Sequence, residues 1–121
     1  MTTQQLADQL VANCRAGNFD QCYHDLFAAD ASAHEMPGVP DGDTHGLAAL
    51  LAKSEAYAKN MKEVHRVEVT DPLVYADFFA VGMGIDVTKA DGSRVFEQEM
   101  CVYTVADGKI VSERFIYKMP G

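Results

Sequence analysis

The strongest constraint on the fold is a β-hairpin signal near the carboxyl end of the chain. Asp107, Gly108 and Lys109 separate the alternating segment Arg94–Ala106 from a second alternating segment, residues 110–118. An Asp-Gly pair suits a tight turn because both residues tolerate a positive φ angle, and alternating apolar residues on both sides are typical of paired strands. The sequence therefore predicts an antiparallel hairpin here.

The first strand of this hairpin has two faces, and neither is purely polar. Val95, Glu97, Glu99, Cys101, Tyr103 and Val105 share one face, and Phe96, Gln98, Met100, Val102 and Thr104 share the other. A sheet with one face in water would alternate cleanly between apolar and polar residues. We therefore expect the first face to line a pocket that contains carboxylates, and the second face to meet a partner.

Composition limits the size, the partners and the compartment of the protein. The chain has 121 residues, with 10 Lys and Arg against 18 Asp and Glu, and a formal net charge of −8. This length indicates one domain over residues 1–121, and the acidic surface disfavours nucleic acid and anionic membranes as partners. There is no signal-peptide pattern or membrane-spanning run, and the three cysteines are read as reduced thiols, so we expect a cytoplasmic protein.

The first half of the chain predicts three helices. Thr2 is expected to cap the first helix, with Gln5 at the capping-box position, and Gly17 is expected to end it. Asn18 is expected to cap the second helix. We then expect a short strand at residues 31–36, a loop at residues 37–46 and a third helix from Asp43 or Thr44 to about Asn60.

The second half predicts a series of strands. Alternation over residues 64–70 places His65, Val67 and Val69 on one face, and residues 73–88 are extended with a turn near Ala76 and Asp77. The small residues Ala76, Ala80, Gly82 and Gly84 share one face of this segment and indicate that some group approaches that face closely. Three helices followed by a long antiparallel meander predict an α+β domain, in which a strongly curved sheet wraps around the helices.

Several short motifs occur in a characteristic order along the chain. They are Gly17-Asn18 between the first two helices, residues 26–31 leading into a strand, His45-Gly46 before the third helix, Val64-His65 opening the sheet, and residues 107–111 followed by Arg114 and Tyr117. In order and spacing the chain resembles the nuclear transport factor 2-like superfamily, and within it the SnoaL-like and ketosteroid-isomerase-like proteins. The resemblance covers nearly the whole chain. It implies a cone-shaped roll that is open into an apolar pocket, and a homodimer formed through the outer sheet face.

The resemblance also implies acidic positions that this chain fills unevenly. Isomerase-like members carry an acid at the end of the first strand, and this position is Glu35 or Met36 depending on the alignment. Neighbouring strand residues face opposite sides of a sheet, so both alternatives stay open. The other implied positions, a tyrosine in the first helix and acids in the last two strands, hold Leu10, Cys101 and Lys118.

Candidate site residues follow from carboxylates and a histidine on otherwise apolar strands. A carboxylate in an apolar wall has its charged form disfavoured, so its pKa rises toward neutrality and it can transfer protons. We expect Glu35, Glu99 and His65 to be catalytic, and Met36, Tyr57, Cys101 and Tyr103 to line the ligand pocket. Glu97, and Glu113 with Arg114, are interpreted as surface groups. Neither the histidines nor the cysteines have metal-ligand spacing, so no metal and no cofactor are expected.

Two functions remain open from the sequence. One is a cofactor-independent isomerase, cyclase or hydratase that acts on a small hydrophobic carbonyl compound, with Glu35 or Glu99 as the proton carrier and Tyr103 or His65 orienting the substrate. The alternative is a ligand-binding or dimeric partner module without catalysis. In either case Phe96, Met100 and Val102, next to the small residues at positions 76–84, would leave an apolar patch exposed in a monomer, so we expect a homodimer.

Overall fold

Three helices pack against one seven-stranded sheet, in agreement with the predicted α+β architecture. The computed structural model describes residues 1–119. The elements in chain order are α1 (Thr3–Arg15), α2 (Phe19–Leu26), β1 (Phe27–His34), β2 (Asp43–His45), α3 (Leu47–Lys59), β3 (Met61–Val69), β4 (Leu73–Tyr75), β5 (Phe78–Lys89), β6 (Arg94–Ala106) and β7 (Lys109–Ile116). The core lies between the helices and the inner sheet face, where Leu6, Leu10, Leu50 and Phe79 are fully buried.

The sheet is mixed, whereas the sequence predicted an antiparallel one. Its strand order is β2-β1-β7-β6-β5-β3, and β4 pairs with β5 outside this path. Every pair is antiparallel except β1 and β7, which run parallel. Strands far apart in sequence can pair in parallel because the intervening elements supply the crossover. A hairpin signal in the sequence predicts pairing only between two strands that are consecutive in the chain, so it could not predict the pairing of β1 with β7.

The closing hairpin has the predicted geometry. Asp107 and Gly108 adopt φ angles of 51° and 74°, as a two-residue turn with the twist of the flanking strands requires. The register between β6 and β7 runs from Ala106 opposite Lys109 to Met100 opposite Ile116. The two faces of β6 also separate as predicted, with Cys101, Tyr103 and Val105 inside, and Phe96 and Met100 exposed outside.

The predicted helix starts are correct for α1 and only partly correct for the others. The Thr2 hydroxyl accepts from the Gln5 N–H at 3.1 Å, and the Gln5 side chain accepts from the Thr2 N–H at 2.9 Å. Asn18 precedes α2 as expected, but its side chain makes no capping hydrogen bond. Helix α3 begins later than predicted, because Asp43–His45 pair with β1 as strand β2.

The small residues of β5 make room for side chains of the same chain. A Cβ atom at Gly84 would lie 2.7 Å from the ring of Phe96, and one at Gly82 would lie 3.1 Å from the Thr70 methyl group. The close approach predicted for this face is therefore intramolecular at these two positions. Within residues 1–119, no helix is both long enough and apolar enough to cross a membrane.

Candidate functional site

Four acidic side chains lie along the inner face of the sheet. Glu35 follows β1, Glu97 and Glu99 lie on β6, and Glu113 lies on β7. Because β1, β7 and β6 are neighbours in the sheet, their inward residues come close together. Glu113 is the deepest of the four, with 3% of its surface exposed. We call these four residues the acid row.

Glu35 faces the interior, which decides between the two positions left open by the sequence. Lys53 of α3 donates to one carboxylate oxygen of Glu35 at 2.9 Å, and the Tyr117 hydroxyl donates to the other at 3.0 Å. The Lys53 ammonium also lies 5.4 Å from the ring centroid of Phe115, within range of a cation–π interaction. Met36 lines a groove beside the loop that follows β1, and Glu35 also contributes to that groove.

Glu99 has the environment of a group that exchanges protons near neutral pH. Burial and, second to it, the negative charge of Glu35 raise the pKa of its carboxyl to about 7. The Cys101 thiol lies 3.7 Å from Oε1 of Glu99. A carboxyl with a pKa near the working pH can both accept and return a proton. The catalytic role of Glu99 stays a prediction.

Glu113 is a member of the acid row that sequence reasoning missed. The Tyr23 hydroxyl donates to Oε1 of Glu113 at 2.6 Å, and burial raises the pKa of Glu113 to about 7. The adjacent Arg114 suggested a surface ion pair, yet it lies on the opposite face of β7. The sequence did contain a signal for this position. Glu113 and Phe115 are two residues apart on β7, so their side chains share one face, and Phe115 points inward.

The predicted pocket residues lie at different depths. Tyr57 of α3 is half-exposed and its hydroxyl donates to Glu97 at 3.1 Å, so it lies at the outer end of the acid row. Tyr103 is 3% exposed and stacks on Phe79 with ring centroids 4.6 Å apart, which places it in the core. Cys101 is fully buried, and burial raises the pKa of its thiol well above the usual value, so the neutral thiol is favoured.

The structure places His65 away from the acid row. The β3–β5 register shifts between Val64 and Arg66, and this irregularity breaks the alternation that put His65 on the face of Val67. The Nε2 atom of His65 lies 2.7 Å from the Thr88 hydroxyl, on the outer face of β5. His65 therefore has no contact with Glu35 or Glu99 through which it could share their chemistry.

Glu99 is one of the residues that line a groove of about 450 Å³. The last residue pair between β6 and β7 joins Met100 to Ile116, so Glu99 lies just beyond the end of β7. The groove is lined by residues at the ends of β3 and β7, by the segments that follow these two strands, and by β5 and β6: Glu68, Thr70, Gly82, Met83, Gly84, Gln98, Glu99, Met100, Ile116, Tyr117 and Lys118. Its volume lies within the range of small-molecule sites.

Comparisons with known proteins agree with this architecture. The family model of the SnoaL-like domain matches residues 1–117. The chain belongs to the SnoaL-like family. A crystal structure from Mesorhizobium loti, provisionally described as a SnoaL-like polyketide cyclase, is similar to this SnoaL-like chain with 36% sequence identity and a TM-score of 0.89. The match covers 97% of this chain and 100% of that one. The predicted resemblance is thus confirmed.

More distant SnoaL-like and related structures share the fold. A provisional polyketide cyclase from Pseudomonas putida has 17% identity and a TM-score of 0.75, with 98% of this chain and 93% of that chain covered. A protein with a ketosteroid isomerase-like fold from Catenulispora acidiphila, in complex with trimethylamine, has 15% identity and a TM-score of 0.75, with 98% and 88% covered. No curated protein matches the chain. Within residues 1–119, no group of three or more His, Cys, Asp or Glu side chains is arranged to hold a metal ion.

Proposed function

We propose that this SnoaL-like protein is a cofactor-independent isomerase, cyclase or hydratase that acts on a small hydrophobic carbonyl compound. The observation that carries the proposal is the position of Glu99. Its pKa is raised to about 7, chiefly by burial, and it is one of the residues that line a groove of about 450 Å³. The polyketide-cyclase-like membership of the family supports the same class of chemistry.

The proposed chemistry is proton transfer next to a carbonyl group. Glu99 takes a proton from the carbon beside the carbonyl and returns it at another position, so the carboxylate is regenerated and no redox partner is needed. Negative charge develops on the carbonyl oxygen during this step. Lys53 and Tyr117, which both bind Glu35, are the donors we assign to this oxygen, because preorganised donors stabilise such charge. Glu35 binds both donors and acts as a positioning residue.

A screen of ketones in deuterated buffer tests this proposal. We expect one or more aromatic or steroid-like ketones to raise the melting temperature at pH 7 and to gain deuterium next to the carbonyl, as measured by mass spectrometry. Heat-denatured protein is the control for exchange in buffer. Stabilisation by ketones without deuterium incorporation or product would contradict catalysis and support the alternative, a ligand-binding module.

One observation favours that alternative. Cys101 stands where the resemblance implies an acid, and it is fully buried as a neutral thiol. The oxyanion pair of the isomerase-like proteins is therefore not reproduced at this position. A binding module would still use the groove beside Glu99, but Glu99→Gln would change ligand affinity without abolishing a reaction.

We also propose that the outer sheet face forms a homodimer. Phe78, Phe96, Met100 and Ile116 lie on this face and are between 41% and 52% exposed. Burying such a patch against a second copy removes apolar surface from water. A second copy would also cover part of the groove and shield Glu99 further from solvent.

Sedimentation equilibrium at micromolar concentration should give twice the chain mass, and Phe78→Glu should give a monomer. Val64→Glu is the matched control, because Val64 is also exposed, at 43%, but lies on the edge strand β3. This variant should remain dimeric. A monomeric native protein, or a Phe78→Glu variant that stays dimeric, would exclude this interface.

A further inference from the structure

A serine, a histidine and an aspartate form a hydrogen-bonded chain on the outer face of the sheet. The Ser32 hydroxyl oxygen lies 2.9 Å from Nε2 of His34, and Nδ1 of His34 lies 2.8 Å from Oδ1 of Asp43. Ser32 and His34 are two residues apart on β1 and therefore share a face. Asp43 lies directly opposite His34 on β2. The strand register thus brings the three side chains together.

The hydrogen-bond partners decide which ring nitrogen of His34 carries the proton. A carboxylate can only accept, so Nδ1–H donates to Asp43 and the free Nε2 accepts from the Ser32 hydroxyl. The hydrogen bond from His34 lowers the pKa of Asp43, which keeps the aspartate ionised. In this tautomer a histidine can take the serine proton while the aspartate stabilises the resulting imidazolium.

The surroundings of this chain can receive a small molecule. A groove of about 330 Å³ runs beside it and is lined by His34, Asp43, Arg114 and the loop from Glu35 to Gly42. Arg114 lies opposite His34 in the β1–β7 register, and neighbouring strands are about 4.8 Å apart. Arg114 also lines this groove, so it supplies a positive charge that can stabilise a developing oxyanion there. The buried Ala31 and Ala33 lie on the inner face of β1, opposite to the face that carries Ser32 and His34. Glu35 is the one member of the acid row that also lines this groove.

We propose that Ser32 is the nucleophile of a second site, on the opposite face of the sheet from Glu99, that hydrolyses small esters. The Ser32 oxygen forms a bond to the acyl carbon while His34 takes the hydroxyl proton. His34 then passes this proton to the departing alkoxide, which leaves as an alcohol. Water next adds to the acyl carbon while His34 takes one of its protons. The bond to Ser32 then breaks, His34 returns the proton to the Ser32 oxygen, and a carboxylic acid is released. No oxidant or reductant is required.

Labelling the full-length protein with an alkyl fluorophosphonate tests this site. Attack by Ser32 forms an oxygen–phosphorus bond and releases fluoride, and peptide mass spectrometry locates the label. We expect the label on Ser32, no label at this position in Ser32→Ala, and labelling at least about tenfold slower in His34→Gln and Asp43→Asn, because the base or its tautomer is lost. Ser112→Ala is the matched control, since Ser112 lies opposite Ser32 on β7, and it should be labelled at the native rate.

Hydrolysis of p-nitrophenyl acetate by the same proteins supplies a second readout. Native protein should release nitrophenolate faster than Ser32→Ala, with melting curves showing that both are folded. Native protein that stays unlabelled at Ser32 would overturn the proposal and leave the three residues only a role in attaching β2 to β1. A label on Ser32 that forms at the native rate in both His34→Gln and Asp43→Asn would overturn it as well.

Discussion

Glu99→Gln should lower turnover of a responsive ketone by about 10²- to 10⁴-fold, the usual contribution of a positioned acid–base group. Glutamine has nearly the same shape as glutamate but cannot accept a proton, so substrate binding should change little and the loss should appear in kcat. The variant should still fold, because the lost carboxyl is a group whose charged form is disfavoured by burial. Steady-state kinetics and a melting curve on the same preparation measure both effects.

Glu97→Gln is the matched control for this experiment. Glu97 lies two residues from Glu99 on the same face of β6, but it binds the Tyr57 hydroxyl and lies 3.7 Å from the Lys89 ammonium at the outer end of the acid row. We expect this variant to keep its turnover within a fewfold of the native value. Full turnover in Glu99→Gln would show that Glu99 does not transfer the proton. An equal loss of turnover in both variants would indicate a general electrostatic effect.

The free energy of unfolding should fall as the pH rises from about 5 to 8. Glu99 and Glu113 have pKa values raised from 4.5 to about 7 in the folded protein. Between these values the folded state retains protons that the unfolded state has released, so stability falls with rising pH until both groups are ionised. For the buried Glu113 the change is on the order of 3 kcal/mol, at about 1.4 kcal/mol for each pKa unit. The more exposed Glu99 should contribute less because solvent screens it.

Urea unfolding of Glu113→Gln against native protein isolates the larger contribution. The variant should lose most of the slope between pH 5 and 8 and become more stable than native protein at pH 8, since Tyr23 can still donate to the amide oxygen. Asp43, Asp86 and Asp91 have lowered pKa values, and the stability they add is lost only in more acidic solution. Native stability that rises between pH 5 and 8 would show that the acid row is ionised throughout.

Local signals in the sequence predicted the elements that depend on neighbouring residues. The Asp107-Gly108 turn, the Thr2 capping box and the two faces of β6 all follow from residues within a few positions of each other. Strand β2 and the parallel pairing of β1 with β7 depend on partners elsewhere in the chain. Their own short segments carry no signal for direction or partner, so the sequence predicted neither.

The residues of the candidate site divide in the same way: local patterns predicted some of them, and the others depend on distant parts of the chain. Alternation along β6 correctly placed Glu99 on the inner face, whereas Glu35 and Met36 could not be distinguished. The groups that fix Glu35, Lys53 and Tyr117, are 18 and 82 residues away. The irregularity in β3 changes the direction of His65, and the charge of Arg114 made Glu113 look like a surface acid. Alternation along a strand does not predict which way a side chain points where the pairing register shifts. Two adjacent residues of opposite charge do not show which face of the strand is buried.

The side-chain carboxyl carbon of Glu99, followed by ¹³C NMR as a function of pH, tests the central claim most directly. Comparison with Glu99→Gln identifies the resonance. We predict a titration midpoint at about pH 7, as burial and the nearby Glu35 require. A midpoint at the ordinary value of 4.5 would mean that Glu99 is a fully ionised, hydrated carboxylate at neutral pH, and it would contradict its role as the proton carrier.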